Sequence, residues 1–188
     1  TEFRSASMSD WHPLKKEMII CTRFGNTTQL HYVKMPGGDR QQITFYEDNV
    51  GGATFEPIKG DYFIFSKDNG GNEFGQLYRY DMRTKKVTML TDGKKSQNGG
   101  IEWSNQGNLI AYTTTKRNGK DRDIHLMDPL HPENETDLCQ NEGGGWGIVE
   151  WSPDDKQMLI SESVSANESK LYQVDMTNGS KTLLLPLA

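Results

Sequence analysis

The sequence predicts an all-β fold built of four-stranded antiparallel units. Three observations carry that prediction. One segment recurs at a fixed interval, each interval holds four β-rich runs parted by turn residues, and no convincing amphipathic helical stretch is present.

The recurring segment is Gln29-Leu30-His31-Tyr32-Val33-Lys34-Met35. It returns as Gln76-Leu77-Tyr78-Arg79-Tyr80-Asp81-Met82, as Asp123-Ile124-His125-Leu126-Met127-Asp128, and as Lys170-Leu171-Tyr172-Gln173-Val174-Asp175-Met176. Each step is 47 residues. A second element precedes each copy: an aromatic at Trp11, Phe55, Trp103 and Trp151, followed by a short turn. A β-rich run comes next, at 18–22, 62–66, 109–113 and 158–161. A closing run completes each unit, at Gln42-Ile43-Thr44, Met89-Leu90-Thr91, Asp137-Leu138-Cys139 and Thr182-Leu183-Leu184. Gly37-Gly38 and Asn178-Gly179 are tight-turn pairs, because glycine reaches positive φ without steric penalty.

Four strands per repeat at this period predict β-propeller blades, at approximately 1–46, 47–93, 94–141 and 142–188 of a single propeller region. A lone four-stranded sheet cannot cover both of its apolar faces, so stacking against neighbours must carry the stability. The repeated aromatic is then a wedge between adjacent blades, burying on the order of 150–250 Å².

Composition removes several function classes. The chain has 188 residues, 34% of them apolar and 25% charged, which suits a globular core rather than disorder. With 21 basic and 26 acidic residues the formal charge is −5, and no Lys/Arg run tracks a phosphate backbone, so nucleic acid is not an expected partner. The longest apolar stretches, such as Met18-Ile19-Ile20 and Leu183-Leu184-Leu185, are strand-sized and too short for a membrane span. Cys21 and Cys139 lie far apart on unlike segments and read as two unpaired, buried thiols; they leave the compartment, periplasm or cytoplasm, open.

The run Glu150-Trp151-Ser152-Pro153-Asp154-Asp155-Lys156, followed by Met158-Leu159-Ile160-Ser161, resembles the WSPDGK-type blade motif. TolB-like propellers and the propeller domains of prolyl oligopeptidase family serine peptidases share that motif. Trp103-Ser104-Asn105-Gln106-Gly107 matches it nearly as well, whereas the first two copies carry His12-Pro13 and Glu56-Pro57 at the Ser-Pro position. The N-terminal runs Thr1-Glu2-Phe3-Arg4-Ser5-Ala6-Ser7, Thr22-Arg23-Phe24-Gly25 and Val33-Lys34-Met35-Pro36-Gly37-Gly38 are similar to the start of the propeller in bacterial members of that peptidase family. The resemblance implies a propeller that precedes an α/β-hydrolase domain of the same polypeptide and restricts peptide access to it. It also implies six to eight blades, so these four are expected to be part of a larger propeller. A TolB-like propeller acting as a protein-binding scaffold is the alternative.

No catalytic machinery is expected within the chain. None of its twelve serines stands in Gly-x-Ser-x-Gly, the strand-to-helix turn that exposes the family's nucleophile. No cysteine–histidine cluster has zinc spacing, no loop has full calcium-loop spacing, and no cofactor is expected. His31 and His125 occupy equivalent third-strand positions and read as packing residues. His12 and His131 each precede a proline and read as solvated turn residues.

Asp10, Glu102 and Glu150 stand directly before the wedge aromatic. They either form a partial carboxylate ring at the propeller channel or accept hydrogen bonds from the next blade. Asp81, Asp128 and Asp175 close the third strand, where a carboxylate bonds turn amides. Glu2, Arg4 and Arg23 are the candidates for pore or substrate contacts, with a surface ion pair as the plainer reading. Arg23 follows the second strand of the first copy, where the other copies carry Lys67, Thr114 and Glu162. Four blades of a larger ring also leave two open, apolar blade faces. Self-association is therefore expected, with two copies completing an eight-bladed ring or, failing that, closure as a four-bladed propeller.

Overall fold

The computed structural model describes residues 5–23, 25–68 and 70–187, with the side chains at 186 and 187 set aside. Sixteen strands form four antiparallel sheets of four strands, each a meander in chain order. The first sheet holds β1 (Ala6–Trp11), β2 (Met18–Thr22), β3 (Gln29–Val33) and β4 (Arg40–Gln42). The second holds β5 (Val50–Phe55), β6 (Tyr62–Lys67), β7 (Gln76–Asp81) and β8 (Val87–Met89). The third holds β9 (Asn98–Trp103), β10 (Ile110–Thr114), β11 (Asp123–Met127) and β12 (Thr136–Cys139). The fourth holds β13 (Trp146–Trp151), β14 (Gln157–Ser165), β15 (Glu168–Asp175) and β16 (Lys181–Leu187). The described helical content is one 3₁₀ turn, Pro132–Asn134.

The chain divides into two compact units, residues 1–93 and 94–188, each with two sheets and its own core. In the first unit Ile19 and Leu30 of the first sheet pack with Phe55, Phe63, Phe65 and Tyr80 of the second. The rings of Phe63 and Tyr80 stack at 4.8 Å, and those of Phe65 and Tyr78 at 5.4 Å. Each fully buried Phe contributes about 1.5–3 kcal/mol, and stacked pairs add about 0.5–1.5 kcal/mol. In the second unit Ala111, Ile124 and Cys139 of the third sheet meet Trp151, Met158, Ile160 and Val174 of the fourth. Each sheet thus presents alternate residues to opposite sides, as the two-residue strand period requires.

Two irregularities recur. The first and second strands of each sheet slip register, between Met8 and Asp10 in the first sheet, Val50 and Ala53 in the second, Gly99 and Glu102 in the third and Ile148 and Glu150 in the fourth. Such bulges re-aim the residues beside them. A second slip falls on the third strand, between Ile124 and His125 and between Leu171 and Tyr172.

The first two closing strands end earlier than the apolar pattern suggests. Beyond β4 and β8 the ladder hands over to a side chain: the Leu30 N–H donates to Thr44 Oγ1 at 2.8 Å, and the Leu77 N–H to Thr91 Oγ1 at 3.1 Å. A hydroxyl takes the place of a ladder carbonyl, so Ile43-Thr44 and Leu90-Thr91 lie outside the regular strands. The Asn178-Gly179 turn requires its glycine. Gly179 has φ +71°, and a Cβ there would stand 1.8 Å from the Leu138 carbonyl oxygen.

Candidate functional site

The wedge aromatics define where one sheet meets the next. Phe55 is 1% exposed and Trp151 8%, each held between its own sheet and the preceding one. Trp151 also donates its indole N–H to the Glu102 carbonyl at 3.1 Å. Trp11, at the same repeat position in the first sheet, is 49% exposed. Trp11, Phe55 and Trp151 are equivalent in sequence but differ in burial.

The carboxylates beside the wedges have unlike surroundings. Asp10 accepts hydrogen bonds from the Phe55 N–H at 2.8 Å and from Thr54 Oγ1 at 3.3 Å, both on the next sheet, and from its neighbour Trp11 N–H. Glu102 is half-buried, and its pKa is raised first by burial and then by the nearby Glu150 carboxylate. Glu150 is exposed and lines a 430 Å³ cavity with Trp151, Pro153, Leu159 and Gln173.

That cavity has a filled counterpart. Glu102, Leu109, Ala111 and Leu126 hold the repeat positions of Glu150, Gln157, Leu159 and Gln173, and on the third sheet this surface is where Trp151 packs. The cavity on the fourth sheet lies on the equivalent surface, with Gln157 and Gln173 where the third sheet has Leu109 and Leu126.

The turn after the wedge supplies a polar clasp that sequence patterning did not single out. Asp155, at φ +57°, accepts from the Asn105 N–H at 2.8 Å, from Asn105 Nδ2 at 2.7 Å and from the Gln106 N–H at 3.1 Å on the preceding sheet. These bonds outweigh the effect of partial burial and hold the Asp155 carboxyl below its ordinary value. Charge-assisted bonds of this kind are worth about 1.5–3 kcal/mol. Its signal was present in the WSPDGK-like run, but the partner lies 50 residues away and no spacing rule reveals it.

The opposite end of the second sheet carries a smaller concavity of 260 Å³, lined by Asn49, Gly51, Ser66, Lys67, Asp68 and Glu73 among others. Lys67 is buried here. Its ammonium lies 3.8 Å from Asp48, donates to the Asp68 carbonyl at 2.9 Å and faces the Tyr46 ring at 5.1 Å. Lys67 pairs with Gln76 across the ladder, and the first-sheet residue in that register is Thr22, paired with Gln29. The structural counterpart of Lys67, Thr114 and Glu162 is thus Thr22. Arg23 lies one residue beyond β2 and is exposed; Glu2 and Arg4 lie outside the described residues.

The third sheet holds a partly buried ionic cluster. Glu135 accepts from the Tyr112 hydroxyl, from His125 Nδ1 at 2.7 Å and from Lys116 Nζ at 2.6 Å. Burial alone raises a carboxyl pKa, but here the bonds from His125, Lys116 and Tyr112 prevail and lower it to about 2. His125 therefore combines packing with an ion-pairing partner. His12 also departs from expectation: it is buried against Phe55, ring centroids 5.1 Å apart, and accepts from the Leu14 N–H, instead of standing in solvent. His131 is exposed. Asp81, Asp128 and Asp175 each accept from turn amides, at Thr84, Leu130 and Thr177 respectively. Cys21 and Cys139 are unpaired thiols, and burial raises the Cys139 pKa to about 11.

Among the described residues no group of His, Cys, Asp and Glu has the arrangement to hold a metal ion, and no helix is long and apolar enough to cross a membrane.

Neither protein-family models nor curated protein sequences match the chain. Solved structures do. TolB from Acinetobacter baumannii superposes with a TM-score of 0.68 at 21% identity, over 97% of this chain and 44% of that one. A prolyl endopeptidase matches with a TM-score of 0.72 at 13% identity, over 97% of this chain and 30% of the enzyme. An oligogalacturonate lyase, solved in complex with manganese, matches at 0.69 and 16% identity, over 89% of this chain and 43% of that one. The chain spans less than half the length of each, and at these identities the likeness is one of fold. The four sheets are blades of the kind found in TolB-like propellers and prolyl endopeptidase propeller domains.

Proposed function

We propose that the chain is a non-catalytic propeller module of a prolyl oligopeptidase family serine peptidase. In this reading it restricts peptide access to an α/β-hydrolase domain of the same polypeptide and docks on that domain. The observation that carries the reading is the role of residues 150–156, the run that resembles the blade motif shared by TolB-like propellers and the peptidase propellers. Trp151 and Asp155 within it make the blade-to-blade contact through an indole bond and a carboxylate clasp. The motif is engaged in stacking, which is a module's work. The N-terminal runs around Arg23 add the leaning towards the peptidase family. Glu2, Arg4 and Arg23 are the proposed substrate or pore contacts, with Glu102 and Glu150 as channel carboxylates.

A second reading, a TolB-like propeller that binds a protein partner, draws on the Acinetobacter TolB likeness. The coding sequence downstream of Ala188 separates the two. Further blades followed by Gly-x-Ser-x-Gly and later Asp and His are expected for the peptidase module. A stop codon after a few blades, with no hydrolase pattern, overturns that reading and leaves the scaffold.

A further inference from the structure

We infer that Arg122 is an anchor for a peptide carboxylate, received in the open space over Gly99 at the start of the third blade's inner strand. The argument begins with how two arginines on one hairpin are used. Arg117 is neutralised: its Nε donates to Asp123 at 2.7 Å and its Nη2 to Asp121 at 3.2 Å. Those are the two carboxylates that flank Arg122 in the chain, and the strand alternation turns both away from it. Arg122 itself is partly buried and bonds two neutral acceptors, Gln97 Oε1 at 2.9 Å from Nη2 and Thr113 Oγ1 at 3.4 Å from Nη1. Among the described residues it pairs with no carboxylate. A guanidinium has five N–H donors, so a charged fork is held in place with donors to spare.

The backbone fixes this geometry. The Arg122 N–H donates to the Gly143 carbonyl at 2.9 Å, and the Arg122 carbonyl accepts from Asn141 Nδ2 at 2.9 Å. The repeat does not demand an arginine here, because the other blades carry Thr28, Gly75 and Ser169 at this position. The room for a ligand lies beside the same threonine. Thr113 pairs with Gly99 across the ladder, and its hydroxyl donates to the Gly99 carbonyl at 3.1 Å. A Cβ at Gly99 would meet nothing within 4 Å, whereas at Gly51, its counterpart on the second blade, Ser66 Oγ would stand 2.2 Å away. Gly99 also lies outside the left-handed region, so neither its backbone nor a neighbour requires glycine. Gly100 beside it is exposed. The strand β9 ends its sheet, with β10 on one side only, and an extended peptide can run along that edge while its carboxylate meets the fork. That the ligand is a peptide rests on the proposed function; the preference for a carboxylate does not.

The test is a titration of the isotope-labelled 188-residue chain, followed by the amide signals of Gly99 and Gly100 and the Arg122 Nε–H signal. Three probes are compared: N-acetylated trialanine with a free terminal carboxylate, its terminal amide, and that amide with aspartate at its centre. The first and third separate a main-chain from a side-chain carboxylate as the source, and binding of either supports the anchor. The plain amide is expected to bind about tenfold more weakly or worse, as is any probe to Arg122→Gln. Arg122→Lys keeps the charge without the fork and should fall between. Gly99→Val leaves Arg122 and its two bonds in place, fills the open space, and should weaken binding by a similar factor with circular dichroism unchanged. The inference is overturned by an amide that binds as tightly as the acids, by an Arg122→Gln or Gly99→Val variant that binds as the parent does, or by a titration that moves none of the three signals. Such a result leaves the peptidase reading to the downstream coding sequence, which tests it separately.

Discussion

At the scale of a residue, Glu135 shows how burial and bonding compete. Desolvation raises a carboxyl pKa, yet three donors stabilise the anion and leave it at about 2, below its ordinary 4.5. A carboxylate whose folded pKa is depressed stabilises the fold fully above its unfolded value, and loses that contribution as pH falls through the folded one. Glu135→Gln is accordingly expected to lower stability by about 2–3 kcal/mol at neutral pH. Thermal unfolding of the variant should also fall less steeply with acid below pH 4.5 than that of the parent. Parallel acid profiles for the two proteins would count against the cluster. The residues of this cluster were legible singly, but their meeting was not, because Tyr112 and Glu135 are 23 positions apart and follow no repeat.

At the scale of an element, the wedge strand is the unit that matters. Trp151 fills the joint between the third and fourth blades, whereas Trp11 ends its strand half in solvent. Trp151→Ala should cost about 3–5 kcal/mol of unfolding free energy through cavity formation and a lost indole bond. Trp11→Ala, measured in dilute monomeric protein, should cost under about 1 kcal/mol, as surface changes usually do. Denaturant titrations of the two variants make the comparison, and equal losses would show that repeat position rather than burial sets the cost. The strand order was readable from the 47-residue recurrence. The shortened β4 and β8 were not, since a threonine hydroxyl standing in for a ladder carbonyl leaves no mark on apolar patterning.

At the scale of the whole molecule, two units each own a core. In a repeat architecture, stability is approximately a sum of local terms and nearest-neighbour contacts. Phe63→Ala, which empties a fully buried site in the first unit, should cost about 3–5 kcal/mol. Its effect on amide hydrogen exchange should be local, with faster exchange in β1–β8 than in β9–β16. A uniform rise across all sixteen strands would mean that the units unfold as one.

The all-β class, the four-stranded repeat and the place of each wedge followed from the sequence by itself. Period and alternation are local properties of a chain, and glycine and aspartate mark turns wherever the chain folds. Which wedges are covered, which carboxylates are shared and which turn each aspartate grips were decided by tertiary structure alone. Trp11 and Trp151 are alike in sequence and unlike in exposure because burial belongs to the neighbouring sheet, not to the residue. Asp10 bonds the next sheet, whereas Glu102 is half-buried near the Glu150 carboxylate, and burial first and that charge second raise the Glu102 pKa. Long-range partners of this sort are selected by packing, and packing is settled only when the sheets stack.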